Sequence, residues 1–293
     1  MCIGIFKKEN FEIVNNPEKA DIIIINTCGF IESAKEEAIN CILEMAEYKK
    51  TGNCKYLVVM GCLVQRYKKD LEKSIPEVDL FISIDEYDSL WEKISKSIHK
   101  QSKSKNTLDY MDRVISTGDT TAYLKIAEGC SNKCTYCAIP YIRGPFISRK
   151  MEDILKEAEK LAQNGIKELI VIAQDTTKYG IDLYGSPKLA ELLDKLCKID
   201  GLKWIRFLYA YPESITDELI DVIANEEKIV KYLDIPLQHA SKKILRAMHR
   251  PGDRESLTAL IKKMREKIDG LVIRTSLIVG LPDETEEDFT ELC

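Results

Sequence analysis

From Ala122 to Cys137 the chain reads AYLKIAEGCSNKCTYC. An apolar run, Ala122 to Ala127, leads through Gly129 into three cysteines spaced C-x3-C-x2-C: Cys130, Cys134 and Cys137. The run predicts a buried strand. The cysteines then fall in the loop at its C-terminal end, where a βα barrel holds its chemistry. This spacing brings three thiols within one tight loop.

Working outward, strand and helix alternate to the end of the chain. Further strands are expected at Glu168–Ala173, Trp204–Tyr209, Tyr232–Ile235 and Val272–Val279. Helices are expected between them, among others at Glu152–Asn164 and Arg254–Ile268. A full barrel of eight units takes about 250 residues, so this stretch predicts a partial one. Towards the start, Asp21–Asn26, Tyr56–Met60 and Val78–Ile82 are short apolar runs suited to strands buried on both faces. Ser33–Tyr48 and Asp88–Ile98 have helical spacing, and Met1–Asn10 resembles the tail of a helix more than a first strand. The pattern is an α/β sandwich on a parallel sheet. His99–Thr120 is polar and aperiodic, as a linker would be. The expected organisation is an incomplete N-terminal domain over residues 1–100, a linker over 101–120, and a second domain over 121–293.

Composition narrows the function classes. Hydrophobic residues are 45% and charged residues 31% of the 293, ordinary for a soluble globular protein. No apolar run is long enough to span a bilayer. The formal net charge of −5 argues against broad nucleic-acid binding, which needs a positive surface. The chain has ten cysteines and no export signal. In a reducing cytoplasm, clustered cysteines hold metal more often than they form disulfides.

Three donors suit a [4Fe–4S] cluster, which takes four ligands and is left here with one open iron. That iron can chelate the amino and carboxylate groups of S-adenosylmethionine (SAM). Zinc and three unconnected cysteines are the alternatives. Zinc prefers four ligands in closed sites, and no second cysteine pair lies nearby in the sequence. A second constellation is Cys28, in NTCGF, and Cys62, in MGCLV. Each follows a predicted buried strand, and the C-terminal ends of parallel strands share one edge.

The C-x3-C-x2-C loop after a first barrel strand, with Tyr136 before its third cysteine, resembles the radical SAM superfamily. Asn26-Thr27-Cys28-Gly29-Phe30 and Gly61-Cys62 resemble the N-terminal domain of its methylthiotransferase family, and the resemblance covers essentially the whole chain. It implies a flavodoxin-like parallel-sheet domain followed by a radical SAM (βα) barrel. It also implies SAM and two [4Fe–4S] clusters: one on Cys130, Cys134 and Cys137, one with Cys28 and Cys62 among its three ligands. The third ligand comes from a loop after a first strand that is expected before Met1, and Cys2 does not replace it. The end of the barrel and a TRAM domain are likewise expected to be missing.

Within the family, GFIESA after Cys28, the approach YLKIAEGC, Gln174-Asp175-Thr176-Thr177 and YLDIPLQHAS resemble the RimO type. That branch methylthiolates the β-carbon of an aspartate in ribosomal protein uS12. The alternatives are the MiaB type, which modifies an adenosine of tRNA, and an inactive remnant. Resemblance also implies that Tyr136 lies against the SAM adenine and that Gln174 and Asp175 meet its amino group. Gln238 follows the fourth barrel strand. Arg274 is a candidate for the SAM carboxylate, with a surface ion pair as the alternative. Gly280 is placed near the ribose, or in a simple turn beside Pro282. His239 is either functional or a capping residue, and Arg143, Gly144, Ser148 and Arg149 read as structural. The expected setting is a cytoplasmic monomer, without membrane contact, that draws electrons from a reductase or flavodoxin-type donor.

Overall fold

A computed structural model describes residues 1–100, 109–115 and 117–293. It divides into two compact units: Met1–Val114 with Tyr141–Arg143, and Ile115–Pro140 with Gly144–Cys293. Part of the expected linker, residues 101–108 and 116, lies outside the described residues.

The first unit runs α1 (Cys2–Lys8), β1 (Ile22–Thr27), α2 (Glu32–Thr51), β2 (Tyr56–Gly61), α3 (Cys62–Ser74), β3 (Leu80–Ile82) and α4 (Leu90–Ser97). The three strands pair in parallel in the order β1-β2-β3, and Thr27 stands opposite Gly61. Side chains alternate along β2, as the pleat requires. Leu57 and Val59 pack with Ala38, Ile42 and Ala46 of α2 and with Leu63 and Val64 of α3. Val58 and Met60 point the other way, onto Ile5, Phe6, Leu90, Trp91 and Ile94. A continuous apolar run is therefore what a strand with helices on both faces needs. On α2 the buried residues recur every four positions, and Lys49 and Lys50 close its last turn, where the helix dipole favours cations.

The second unit runs β4 (Thr121–Lys125), β5 (Ala127–Glu128), α5 (Ile139–Arg143), β6 (Ile147–Ser148), α6 (Met151–Gln163), β7 (Glu168–Ile172), α7 (Ile181–Tyr184), α8 (Leu189–Cys197), β8 (Trp204–Phe207), α9 (Asp217–Asn225), β9 (Tyr232–Asp234), α10 (Lys242–Ala247), α11 (Arg254–Lys267), β10 (Val272–Arg274) and α12 (Glu286–Leu292). The last three residues of α5 belong to the first unit. The strands β4-β7-β8 pair in parallel, as do β9 and β10. Between these sheets, the Ala210 amide donates to the Asp234 carbonyl at 2.9 Å. One core joins them, with Leu124, Ile154, Leu169, Val171, Leu193, Ile205, Phe207 and Leu233 at its centre.

Three elements differ from expectation, the first being the strand expected over Ala122–Ala127, which breaks at Ile126 into β4 and β5. The strand expected over Val272–Val279 stops at Arg274, with one isolated bridge from Leu277 to Gln238 beyond it. Its partner β9 runs into Pro236, which has no amide hydrogen to donate, and then Gln238 takes a positive φ of 71°. The helix expected from Asp88 is preceded by a 3₁₀ turn over Ile84–Ser89, because Ser83 and Glu86 form a capping box there. Among the described residues no helix is long and apolar enough to cross a membrane.

Candidate iron–sulfur and SAM site

The cysteine loop is built on a narrow base. Strands β5 and β6 form a two-residue antiparallel ribbon, Ala127 opposite Ser148 and Glu128 opposite Ile147, which brackets residues 129 to 146. Above it the Cys130 amide donates to the Gly144 carbonyl at 3.1 Å. Gly129 sits there with φ +75°, and a Cβ on it would meet the Pro145 carbonyl oxygen at 2.0 Å. Only glycine fits so close an approach of backbone to backbone. At the far side, the Cys137 amide donates to the Cys134 carbonyl at 3.0 Å, and Lys133 has φ +53°. The loop is thus folded back on itself, with all three thiols half-buried.

The three thiols share this loop without converging on a point. Among the described residues, no three His, Cys, Asp or Glu side chains are gathered to ligate a metal ion. Burial pushes the Cys130 and Cys137 thiols up from the ordinary range, and neighbouring cysteines push them further. Three sulfurs forced together as thiolates repel one another, and the charge of a bound cluster offsets that. The Cys134 sulfur lies 3.0 Å from the Tyr211 hydroxyl.

The segment after β7 locks the loop. Asp175 is fully buried. One of its oxygens accepts from the Thr177 amide at 3.1 Å and hydroxyl at 2.6 Å, and the other from the Asn132 side-chain amide at 2.8 Å. Lys178 donates to the other end of Asn132. Asp175 therefore ties the cysteine loop to the segment after β7. Gln174 differs. Its Nε2 donates to Glu128 at 3.2 Å, while its buried Oε1 has no hydrogen-bond partner among the described residues. A buried amide oxygen left unpaired is costly, and the SAM ammonium is a donor of the right chemistry to satisfy it. Three thiols on one loop and this orphaned acceptor fit the cofactor pair.

The remaining candidates scatter. Burial raises the Tyr136 hydroxyl to about 12, against the pull of its hydrogen bond with Arg250. Gln238 uses its backbone to tie the segment after β10: its amide donates to Ser276 at 2.9 Å, and its carbonyl accepts from Ile278 at 2.8 Å. Arg274 lies on an exposed strand and pairs with the buried carboxylate of Asp234. Gly280 has φ +78° and open space around its Cα, as a turn requires. His239 caps: its Nδ1 accepts from the Ser241 amide at 3.0 Å. Arg149 pairs at 2.8 Å with the buried Glu157, a structural role.

In the first unit, Cys28 and Cys62 follow the paired residues Thr27 and Gly61, so adjacent parallel strands bring them to one sheet edge. The backbones are close: a Cβ on Gly29 would meet the Leu63 Cα at 2.7 Å. Arg66 donates to the Gly29 carbonyl at 2.8 Å, and Arg143 to the Cys62 sulfur at 3.4 Å. All ten cysteines have free thiols. Sequence reasoning missed Asn132, Glu128, Tyr211 and Arg250. Asn132 had one visible signal, its place inside the cysteine spacing, and Glu128 stands two residues before Cys130. Tyr211 and Arg250 reach the site only through folding.

The radical SAM superfamily profile matches residues 124–293, and a profile described as uncharacterized protein family UPF0004 matches residues 1–83. The chain is 62% identical over 290 residues to the ribosomal protein uS12 methylthiotransferase RimO of Alkaliphilus oremlandii (strain OhILAs), covering 99% of this chain and 66% of that protein. It is 55% identical over 292 residues to the protein of the same name from Clostridium botulinum (strain Langeland / NCTC 10281 / Type F), covering 97% and 65%. It is 52% identical over 299 residues to that from Clostridioides difficile (strain 630), covering 100% and 67%. The chain spans about two thirds of the length of these curated relatives. Among solved structures, the fold is similar to the radical SAM methyltransferase TsrM from Kitasatospora setae with cobalamin and a [4Fe-4S] cluster bound. The TM-score is 0.69 at 14% identity, over 94% of this chain and 61% of that one. It is also similar to the cobalamin-dependent radical enzyme OxsB with aqua-cobalamin and SAM bound, with a TM-score of 0.64 at 14% identity, over 94% and 43%. At that identity the likeness concerns the fold alone.

Proposed function

Because the chain belongs to the radical SAM methylthiotransferase family, we propose that it carries the catalytic core of a RimO-type enzyme. In this reading it installs a methylthio group on the β-carbon of an aspartate of ribosomal protein uS12. The observation that carries the proposal is the ribbon-closed cysteine loop at the end of β4, with the orphaned Gln174 oxygen beside it. When bound, the cluster and SAM supply a 5′-deoxyadenosyl radical that abstracts hydrogen.

The chain's own residues do the rest. Cys130, Cys134 and Cys137 would hold the cluster. Gln174 Oε1 would accept from the SAM ammonium, and Glu128 holds the amide end in place. Tyr136 offers its ring to the adenine. Asp175 fixes Asn132, and with it the middle of the loop, beside the SAM amino group. Gln238 shapes the strand end through its backbone, and Gly280 provides the turn beyond it. Cys28 and Cys62 contribute to the second cluster. The electron comes from a reductase or flavodoxin-type donor, and the enzyme works as a cytoplasmic monomer.

The test is direct. The chain is reconstituted anaerobically and given SAM, reductant, sulfide and either uS12 or tRNA. Methylthiolated aspartate, seen by mass spectrometry and lost in Cys134→Ala, is the expected result. Modified adenosine in its place, or SAM cleavage that survives Cys134→Ala, overturns it.

A further inference from the structure

One buried cation beside the cysteine loop has no part in the chemistry described so far. The Arg250 side chain is 1% exposed. Its guanidinium carbon stands 3.9 Å from the centre of the Tyr211 ring. Its charge is answered only loosely by Glu213, at 3.6 Å and beyond hydrogen-bond reach. It also engages the Tyr136 hydroxyl. Two of its nitrogens, Nε and Nη2, are buried with no hydrogen-bond partner among the described residues. A guanidinium taken out of water with donors unspent is costly unless negative charge stands nearby.

The placement is well determined. The Arg250 amide donates to the Leu245 carbonyl at 2.8 Å, after a left-handed residue, His249. Thr135 of the cysteine loop is pinned to the same turn, its amide on the Met248 carbonyl at 3.2 Å and its hydroxyl on that of Ala247 at 3.0 Å. Tyr211 is held through its amide on the Thr177 hydroxyl at 3.2 Å. Its own hydroxyl lies 3.0 Å from the Cys134 sulfur. A cation, an aromatic ring, a hydroxyl and a cluster-ligand sulfur thus follow one another in contact.

We propose that Tyr211 and Arg250 are positioning residues that set the reduction potential of the iron–sulfur cluster, Tyr211 by donating a hydrogen bond to the Cys134 sulfur and Arg250 by placing a buried positive charge behind it. The inference rests on the proposed role of Cys134 as a ligand. A reduced cluster carries one more negative charge than the oxidised one. A hydrogen bond to a ligand sulfur and a nearby cation both favour that form. Burial keeps the cation's field from being screened. The electron is supplied by a flavodoxin-class protein or, in a cuvette, by dithionite.

The experiment compares the wild type with Tyr211→Phe, Arg250→Gln and Arg250→Lys. Each is checked by thermal melting, reconstituted anaerobically and assayed for iron and sulfide. The cluster is then titrated with reductant while the reduced form is followed by EPR, with and without SAM. Tyr211→Phe and Arg250→Gln should load iron like the wild type, yet reduce only at more negative potential. Arg250→Lys, which keeps the charge, should move least. With dithionite, SAM cleavage should fall about tenfold or more in Arg250→Gln and recover with a stronger reductant such as titanium(III) citrate. Unchanged potentials in fully loaded Tyr211→Phe and Arg250→Gln overturn the proposal. So does iron loading lost without a change in melting, because the pair would then assemble the site and not tune it. Tyr211→Phe removes one hydroxyl and keeps the test open if Arg250→Gln melts early. A wild type whose EPR signal does not respond to SAM, or a Cys134→Ala protein that loads like the wild type, overturns instead the assignment of Cys134.

Discussion

At the scale of the residue, the site depends on groups with no freedom to be anything else. Gly129 is one. An alanine there places its Cβ against the Pro145 and Gly144 carbonyl oxygens, at 2.0 and 2.7 Å, in a left-handed conformation. Gly129→Ala should destabilise the second unit by more than about 1 kcal/mol and open the loop. Denaturant unfolding and faster reaction of the cysteines with a thiol reagent would show it. Asn132 is another. Its amide bridges Asp175 and Lys178, so Asn132→Ala leaves a buried carboxylate oxygen without its donor. A loss of about 1–3 kcal/mol is expected, together with incomplete iron loading. Unchanged iron content would show that the loop keeps its shape without this bridge. The cysteines stand out in the sequence by their spacing, and Gln174 by the family resemblance. The bridge does not, because Asn132 and Asp175 are 43 positions apart and nothing local marks them as partners.

At the scale of the element, capping and ion pairing decide where helices begin. Glu86 closes the turn before α4: it accepts from the Ser83 amide and hydroxyl, each at 2.8 Å, and takes Lys68 at 2.8 Å and Lys93 at 2.6 Å. Burial works against its charge, but these donors outweigh burial and hold its pKa at about 2, below the usual 4.5. A carboxyl with a depressed folded pKa stabilises above its unfolded pKa and loses that stability as protons bind to the folded form. The Glu86 contribution should therefore be whole at neutral pH and disappear as pH falls from about 4.5 towards 2. Its size is about 1 kcal/mol once solvent screening is allowed for. Melting of Glu86→Gln against wild type across that range checks the sign: the gap should narrow as the solution becomes acid. The strands followed the apolar runs within a residue or two, since a buried strand is a local pattern. The early end of β10 was not local. It follows from Pro236 and Gln238 on the partner segment, which no reading of Val272–Val279 alone includes.

At the scale of the molecule, each unit contains one cysteine constellation on one sheet edge or strand end. Iron counting separates them. Reconstitution should give about four irons on Cys130, Cys134 and Cys137. Any iron beyond these should be lost in Cys28→Ala with Cys62→Ala, while the first set stays. Loss of all iron in that double variant would mean that the two sets do not load independently.

What the sequence determined by itself was periodicity and spacing: parallel α/β units, a C-x3-C-x2-C loop after a strand, and a family resemblance that the relatives bear out. These are properties of neighbours along the chain, and burial of an apolar run or the reach of three thiols within one loop needs no more than that. Only the tertiary structure decided which polar atoms are spent and which are left over. It gave the Asp175 oxygens to Asn132 and Thr177, drew Arg274 to Asp234, and left Gln174 Oε1 and two Arg250 nitrogens without partners among the described residues. Hydrogen bonds are satisfied by whatever lies within about 3 Å in space, and that distance is set by how strands and loops far apart in the chain are packed together.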